Sequence, residues 1–184
     1  MALSREKILS TAFDLLKQYG LADLSMRRLA TELEVAPGAL YYHVKNKQQL
    51  LASLASRMVA EVEFRGPSPA KALEFGCLEL FRQLSQVREA AEVIRLALAV
   101  APESLRFVRE AARLFEQLVD EVQDGASGGS PAAGQLAATM LLHVCVSFLE
   151  EEQTRALLAG VTIAEQAPSS YIAAVQASIA GWSG

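Results

Sequence analysis

Cysteine and histidine are scarce in this chain, which has two of each among its 184 residues. Cys77 and Cys145 lie far apart without CxxC spacing, which argues against a disulfide framework and against a thiolate zinc site. We expect both to be buried as small apolar residues. Phosphate-binding loops, nucleophile elbows and pairs of metal ligands are also missing, so the sequence predicts neither a metal nor a cofactor.

Groups suited to acid–base catalysis are equally few. His143 and the run Glu150, Glu151 and Glu152 are the strongest candidates, but three consecutive helix positions spread over more than half of the helix circumference. Catalysis needs titratable groups that converge on one point. A solvated acidic face explains the run better, and we expect that the protein is not an enzyme.

Apolar runs of membrane-spanning length are not evident either. The N-terminus, MALSREKILSTAF, has charges throughout and no apolar stretch of the signal-peptide type. The longest weakly polar run, Leu136 to Leu149, is shorter than the roughly 20 residues that a span needs, so we expect a helix that is buried on most sides. These features predict a cytoplasmic protein with no membrane partner.

Charge is distributed unevenly along the chain. Residues 1–50 contain seven Lys/Arg and five Asp/Glu, whereas the remainder contains ten and sixteen. A slightly basic segment on an acidic body is typical of a DNA-binding protein, although a difference of this size indicates nucleic acid only weakly. With 52% apolar residues, the chain can bury a sizeable core.

Two helices are predicted before residue 35. The first has apolar residues at helical spacing over residues 8–19, with Ser4 as its N-cap and Gly20 at its end. Ser25 precedes the second helix, which we expect to end at Glu34.

A third and a fourth helix follow closely. Proline is favoured at the first position of a helix, so Pro37 to Val44 is predicted to be a short third helix. Asn46, with Gln49 three residues later, resembles a capping box and begins the fourth.

Beyond the break RGPSP at residues 65–69, five more helices are predicted, over residues 70–86, 88–100, 103–123, 131–158 and 169–181. The third of these has an apolar seam formed by Leu105, Val108, Ala112, Phe115, Val119 and Val122. Residues 124–130, DGASGGS, are predicted to form a flexible loop. Because no segment shows sustained two-residue alternation, we predict an all-α fold.

The second and third predicted helices are joined by a short turn around Val35, as in a helix-turn-helix, whose second element enters the major groove. Leu40 and Val44 are four residues apart and are expected to face the core. The remaining positions form a candidate DNA-binding surface: Pro37, Gly38, Ala39, Tyr41, Tyr42 and His43. Phenol and imidazole groups can reach phosphates, sugars and thymine methyls in a groove. The alternative is that both tyrosines pack against the body of the protein.

Three basic residues extend this surface. Lys47 falls in the first turn of the fourth helix, where the backbone N–H groups already favour an anion, so we expect a phosphate contact. Arg27 and Arg28, at the start of the second helix, could contact phosphate or a guanine edge. A solvated lysine is the alternative for Lys47.

The segment LSMRRLATELEVAPGALYYHVKNKQQLL resembles the DNA-binding signature of the tetracycline-repressor (TetR) family. The resemblance is specific over residues 4–55 and only architectural beyond them. It implies a homodimer that binds a palindromic operator, usually as a repressor, with DNA contacts at Arg27, Pro37, Gly38, Ala39, Tyr41, Tyr42, His43 and Lys47.

Three positions depart from the family pattern. The family often has glycine where this chain has Glu34, and serine or threonine where it has Ala36 and Ala39. A residue other than glycine in a left-handed turn costs about 1 kcal/mol, and each missing hydroxyl removes a cap or a phosphate contact. We therefore expect that affinity or operator preference differs from the family norm.

The sequence predicts a helix-turn-helix domain over residues 1–47, followed by a larger helical domain for effector binding and dimerisation over residues 48–184. Recognition helices must lie about 34 to 36 Å apart to meet successive major grooves, which a two-fold dimer provides. The best candidates for the dimer interface are the run Leu136 to Phe148 and the final helix, with Tyr171, Ile172, Val175 and Ile179. The family resemblance also implies dimerisation through the last two helices.

An effector pocket is expected among the fourth to eighth helices, with the candidate lining Phe75, Phe81, Leu98, Phe107, Phe115, Met140 and His143. Each of these is also a candidate core residue. His143 should have a polar partner, because an imidazole in an apolar helix needs one.

The absence of histidine from the fourth to seventh predicted helices bears on the nature of the effector. Resemblance to tetracycline-binding members of the family would imply histidines in the fourth to seventh helices, and none is present. We therefore expect a small, largely apolar effector rather than a metal-chelated tetracycline. The alternative function is a helical small-molecule or lipid-binding protein without DNA activity.

Overall fold

The structure, a computed structural model, describes residues 3–122 and 130–182. Over these ranges the chain forms helices and no strand, which confirms the all-α prediction. The α-helices are α1 (Arg5–Tyr19), α2 (Met26–Glu32), α3 (Pro37–Tyr41), α4 (Lys47–Met58), α5 (Pro69–Ser85), α6 (Ala90–Val100), α7 (Arg106–Val122), α8 (Pro131–Ala159) and α9 (Ser169–Ala180). A short 3-10 helix, Pro102–Ser104, precedes α7.

Side-chain caps begin the helices of the N-terminal third where the sequence predicts them. Ser4, Ser25 and Asn46 each accept a hydrogen bond from the backbone N–H three residues later, at 3.2, 3.1 and 2.8 Å. Such caps satisfy N–H groups that have no partner within the helix. Gln49 accepts from the N–H of Lys45, so its side chain closes the capping box one residue earlier than the usual pattern.

The second and third helices are shorter than predicted. α2 ends two residues before Glu34, whose backbone lies in the left-handed region at φ 56°. α3 ends at Tyr41, because the N–H groups of His43 and Val44 both bond to the carbonyl oxygen of Leu40 and close the chain into a turn. Leu40 and Val44 are buried, as predicted.

α4 ends at Met58, four residues before Val62, the last residue of its apolar pattern, and the other helices agree with the predicted segments to within three residues. α7 packs along α8, α4 packs along α6, and α9 packs against α5 and α8. The predicted seam of α7 faces this core, with Val119 half-buried and four residues buried: Leu105, Val108, Ala112 and Phe115. The side chain of Val122 and the predicted loop at residues 124–129 lie outside the described residues.

Buried apolar side chains of the head, defined here as residues 3–46, and of the body, from α4 onwards, form one continuous cluster. Ile8, Leu16 and Leu29 of the head are completely buried, as are Leu50 and Leu54 of α4. α4 therefore packs against the head and also against α6 of the body. A displacement of α6 would be transmitted to the head through α4.

α8 extends beyond the weakly polar run Leu136 to Leu149 at both ends. It has 29 residues, with a mean hydropathy of 1.6 over its most apolar stretch, so by length and composition alone this one helix of the described chain could cross a membrane. A core helix passes the same test, and α8 packs against four other helices. Between Leu136 and Leu149 the expectation of burial on most sides is confirmed, because all but four residues are buried or half-buried, and these four share one side of the helix: Leu136, Met140, His143 and Ser147. Leu136 and Met140 on its outer side are 55% and 50% exposed.

Candidate nucleic-acid interface and ligand site

α3 presents its two tyrosines to solvent. Tyr42 is 92% exposed and Tyr41 is 51% exposed, whereas Leu40, on the inner face of the helix, is completely buried. The alternative that both tyrosines pack against the body is therefore wrong. His43 is exposed beside them. An exposed tyrosine pair on a short helix is available for contact with a surface outside the chain.

The beginning of α3 is small and open. Pro37 and Gly38 are exposed, Ala39 is half-buried, and a Cβ at Gly38 would meet no atom within 4 Å. Ala36 occupies the N-cap without a side-chain hydrogen bond, which agrees with the missing hydroxyl noted in the sequence. A backbone this uncovered allows close approach of a partner.

The two arginines at the start of α2 differ in their exposure and in their contacts. Arg27 is exposed and its guanidinium can reach outward. The guanidinium of Arg28 lies 3.9 Å from the centre of the Tyr19 ring and 3.0 Å from a carboxylate oxygen of Asp23. Arg28 therefore holds α2 against the end of α1, which favours a structural role for it over a DNA contact.

Lys47 is the first residue of α4 and is half-buried. Its Nζ donates a hydrogen bond of 3.3 Å to the carbonyl oxygen of Leu21, in the turn that follows α1. This contact positions the ammonium group at the turn between α1 and α2. Its predicted phosphate contact stays a prediction.

The seven predicted effector residues do not line one cavity. Phe107 and Phe115 are packed in the core against Phe64 and Trp182, with ring centres 5.1 and 6.2 Å apart. Phe81 lies 5.0 Å from the ring of Tyr171. Leu98 is buried, and three residues are exposed: Phe75, Met140 and His143.

His143 lies on the outer side of α8 rather than in the interior. Together with Met140 and Trp182 it lines a groove of about 460 Å³ between α8 and α9. Because the imidazole is exposed, water can satisfy it, and the expected polar partner within the protein is not required.

A second groove, of about 490 Å³, lies where the turn between α5 and α6 meets the end of α8. Its lining includes the charged residues Arg88, Glu89, Glu92 and Glu150. Sequence reasoning missed this site, because it looked for aromatic residues and interpreted Glu150 as part of a solvated face. Glu150 in fact hydrogen-bonds Arg95 of α6, which raises the pKa of that arginine. Glu151 and Glu152 pair with Arg155.

Metal-binding and thiol chemistry have little support in the described residues. No group of three or more His, Cys, Asp or Glu side chains in them could hold a metal ion. Cys77 and Cys145 are free and buried, as predicted, and burial raises the pKa of the Cys77 thiol. A thiol in such surroundings is unreactive.

Comparison with known proteins gives results for the head and for the whole fold. The family described as bacterial regulatory proteins, tetR family, matches residues 8–54. The tetracycline repressor protein class C of Escherichia coli is 47% identical over 57 residues, which cover 31% of this chain and 26% of that protein. The class E protein of Escherichia coli is 32% identical over 117 residues, covering 61% and 54%. The chain thus spans between a quarter and about half of these relatives.

Solved structures match over a larger part of the chain. BioQ of Mycobacterium smegmatis superposes with a TM-score of 0.79 at 26% identity, covering 99% of this chain and 98% of that chain. A crystal structure of BioQ with its double-stranded DNA operator gives 0.76 at 26% identity, covering 100% and 99%. ActR of Streptomyces coelicolor in complex with actinorhodin gives 0.69 at 27% identity, covering 87% and 74%.

Proposed function

The chain belongs to the tetR family of bacterial regulatory proteins, and we propose that it is a dimeric transcription repressor that binds a palindromic operator and is released by a small, largely apolar effector. The observation that carries the proposal is the exposed face of α3, where Tyr42 is 92% exposed. In this proposal residues 1–47 bind DNA and residues 48–184 dimerise and bind the effector. Because operator DNA is the partner, the protein acts in the cytoplasm.

On DNA, α3 enters the major groove with Tyr41, Tyr42 and His43 toward the sugars, phosphates and base edges. Lys47 and Arg27 contact phosphates on either side. Phosphate contacts of this kind fix the register of the protein, whereas base contacts give specificity. BioQ has been crystallised with its operator, and it shares this fold over its whole length.

Dimerisation explains why the outer side of α8 is apolar. Leu136 and Met140 are half-exposed there, and the groove between α8 and α9 leaves Trp182 accessible. A second copy related by a two-fold axis would cover this face with the same face of its own. It would also place two copies of α3 on one side of the dimer.

Release by an effector requires that the ligand binds more tightly to a form whose heads do not fit the operator. α4 connects the two functions, since it packs against α1 of the head and along α6 of the body. We expect the effector to tilt α4. The complex of ActR with actinorhodin shows a small molecule in a protein of similar fold.

The proposal is tested with purified protein and the intergenic DNA beside its gene, by fluorescence polarisation at two salt concentrations with a scrambled competitor. We expect specific binding that weakens as salt increases. Tyr42→Ala should weaken it by roughly tenfold, because the side chain contacts only DNA. Lys71→Ala, an exposed lysine on α5, is the matched surface control and should bind as the wild type does.

Equal affinity for operator and scrambled DNA would contradict the proposal. Combined with binding of apolar small molecules, that result would favour the helical carrier without DNA activity.

A further inference from the structure

The carboxylate of Glu89 joins the body to the head. Glu89 lies in the turn between α5 and α6, and its Oε2 accepts a hydrogen bond from the backbone N–H of Leu21, 68 residues earlier. A Cβ at Gly20 would lie 2.9 Å from that same oxygen, so a side chain at residue 20 would require the carboxylate to shift. The carbonyl of Leu21 accepts from Lys47. The turn after α1 is thus bonded to two residues of the body, Glu89 and Lys47.

The backbone of Glu89 is also unusual. Its φ is 55°, in the left-handed region, and it occupies the N-cap of α6 without making a side-chain cap. An L-residue adopts this conformation at a cost, and an N-cap carboxylate ordinarily bonds to its own helix. Here the side chain is directed across the domain boundary instead.

The same residue lines the groove of about 490 Å³ at the end of α8. Three carboxylates, those of Glu89, Glu92 and Glu150, face this groove against one guanidinium, that of Arg88. From the end of α8 onwards the lining includes four aliphatic residues, of which Leu157 is 73% exposed: Ala156, Leu157, Val161 and Ile163. A groove lined by both carboxylates and aliphatic side chains is complementary to a molecule with a positive charge at one end of an apolar frame.

We propose that this groove binds a small amphipathic cation, and that its positive group engages the Glu89 carboxylate in competition with the N–H of Leu21. The ligand therefore loosens the contact that holds the head to the body. Arg95 pairs with Glu150 and Arg88 approaches Glu89 to 4.0 Å, so the cation adds to a weak ion pair at Glu89 and is also attracted by Glu92. The release of DNA rests on the proposed function, whereas the binding of the cation does not.

Binding is tested on the full chain without DNA, using dansylcadaverine as the cationic probe and its N-acetylated form as the neutral one. Both have the same fluorescent apolar ring, so the difference between them reports the charge. We expect the amine to bind at least tenfold more tightly, with a blue-shifted emission. Glu92→Gln and Leu157→Ser should each weaken it at least fivefold, and Glu103→Gln, an exposed carboxylate outside the groove, should not. Equal affinity for the two probes, or no effect of Glu92→Gln, would overturn the assignment.

The competition for Glu89 has a readout that does not need DNA. Saturating amine probe should increase hydrogen exchange at the Leu21 amide at least fivefold in the wild type and in Glu103→Gln. An unchanged exchange rate at Leu21 would overturn the switch. This measurement and the probe titration remain decisive even if the chain fails to bind DNA specifically, so failure of the proposed function is distinguished from failure of this one.

The consequence for DNA is measured as the ratio of the operator Kd with and without the amine probe. We expect the ratio to rise at least tenfold in the wild type and to stay within twofold in Glu89→Gln. The glutamine oxygen can still accept from Leu21, but the side chain no longer attracts the cation. A ratio in Glu89→Gln equal to that of the wild type would exclude Glu89 as the coupling residue.

Discussion

The hydroxyl of Tyr171 donates a hydrogen bond of 2.6 Å to the carbonyl oxygen of Cys77, 94 residues earlier in the chain. Tyr171 is completely buried, and burial raises the pKa of its hydroxyl. Its ring lies 5.0 Å from that of Phe81 and 6.1 Å from that of Phe148. One side chain therefore connects α9 to both α5 and α8.

Removing this hydroxyl should destabilise the protein. We expect Tyr171→Phe to lower the free energy of unfolding by about 1 kcal/mol, the usual contribution of one hydrogen bond. Tyr171→Ala should lower it by about 3 to 5 kcal/mol, because it also creates a cavity. Urea unfolding at one protein concentration measures both, with the half-exposed Tyr41→Phe as control. Wild-type stability of Tyr171→Phe would contradict the prediction.

Glu34 and Glu32 should respond to glycine in opposite directions. Glu34 has φ 56°, so Glu34→Gly relieves the left-handed strain and should stabilise the head by up to about 1 kcal/mol. Glu32 is the last residue of α2, where Glu32→Gly should cost about 0.5 to 1 kcal/mol. Thermal unfolding followed by circular dichroism gives the sign of each change, and two changes of the same sign would refute this explanation.

Substitution of Arg28 should lower stability, whereas substitution of Arg27 should lower operator affinity. Arg28→Ala removes the contacts with Tyr19 and Asp23 and should destabilise the fold by about 1 kcal/mol. Arg27→Ala removes an exposed side chain, so stability should stay within about 0.5 kcal/mol while operator affinity falls by roughly tenfold. Melting and fluorescence polarisation on the same samples test both, and an exchange of the two phenotypes would disprove the assignment.

The outer face of α8 should determine the oligomeric state. Met140→Glu places a charge in the face proposed to pair with a second copy, and we expect a monomer by size-exclusion chromatography with light scattering. Val100→Glu introduces the same charge at an exposed apolar residue at the end of α6 and should leave the dimer intact. A dimer in both variants would place the interface elsewhere.

Acid should weaken one ion pair of α5 in a defined range. A hydrogen bond from Arg82, with a smaller contribution from Gln83, lowers the pKa of Glu79 from 4.5 to about 2. A carboxyl with a lowered pKa stabilises the fold above its ordinary value, and that contribution is lost as the pH falls towards 2. Since the Arg82 side chain is 55% exposed, solvent screening limits the contribution to less than about 1 kcal/mol.

We therefore expect Glu79→Gln to unfold at a slightly lower urea concentration than the wild type at pH 7. At pH 2, which is close to the pKa of Glu79, the difference between the two midpoints should be much smaller. A difference that is independent of pH would show that the ion pair is not its cause.

Local interactions made much of the fold predictable from the sequence. Ser4, Ser25 and Asn46 cap helices through bonds to residues three positions away, and such bonds need no knowledge of the rest of the chain. The exposed positions of α3 follow in the same way, because Leu40 and Val44 occupy the inner face. The turn at Glu34 was predictable as left-handed only through the family resemblance.

The ligand groove could not be predicted in this way. An aromatic side chain suits the lining of an effector pocket, but the same apolar character places Phe81, Phe107 and Phe115 in the core. Glu89 gave no local signal, because its partner lies 68 residues away.

The close approach at Gly20 makes one codon unusually vulnerable. Every amino acid that a single base change can introduce at a glycine codon carries a Cβ, which here would meet the Glu89 carboxylate on a backbone with φ 82°. Each such change would displace the Glu89 carboxylate from Leu21 and strain the end of α1. Spontaneous missense mutations that abolish regulation should therefore accumulate at codon 20, while the exposed positions beside it, Gln18 and Ala22, drift freely.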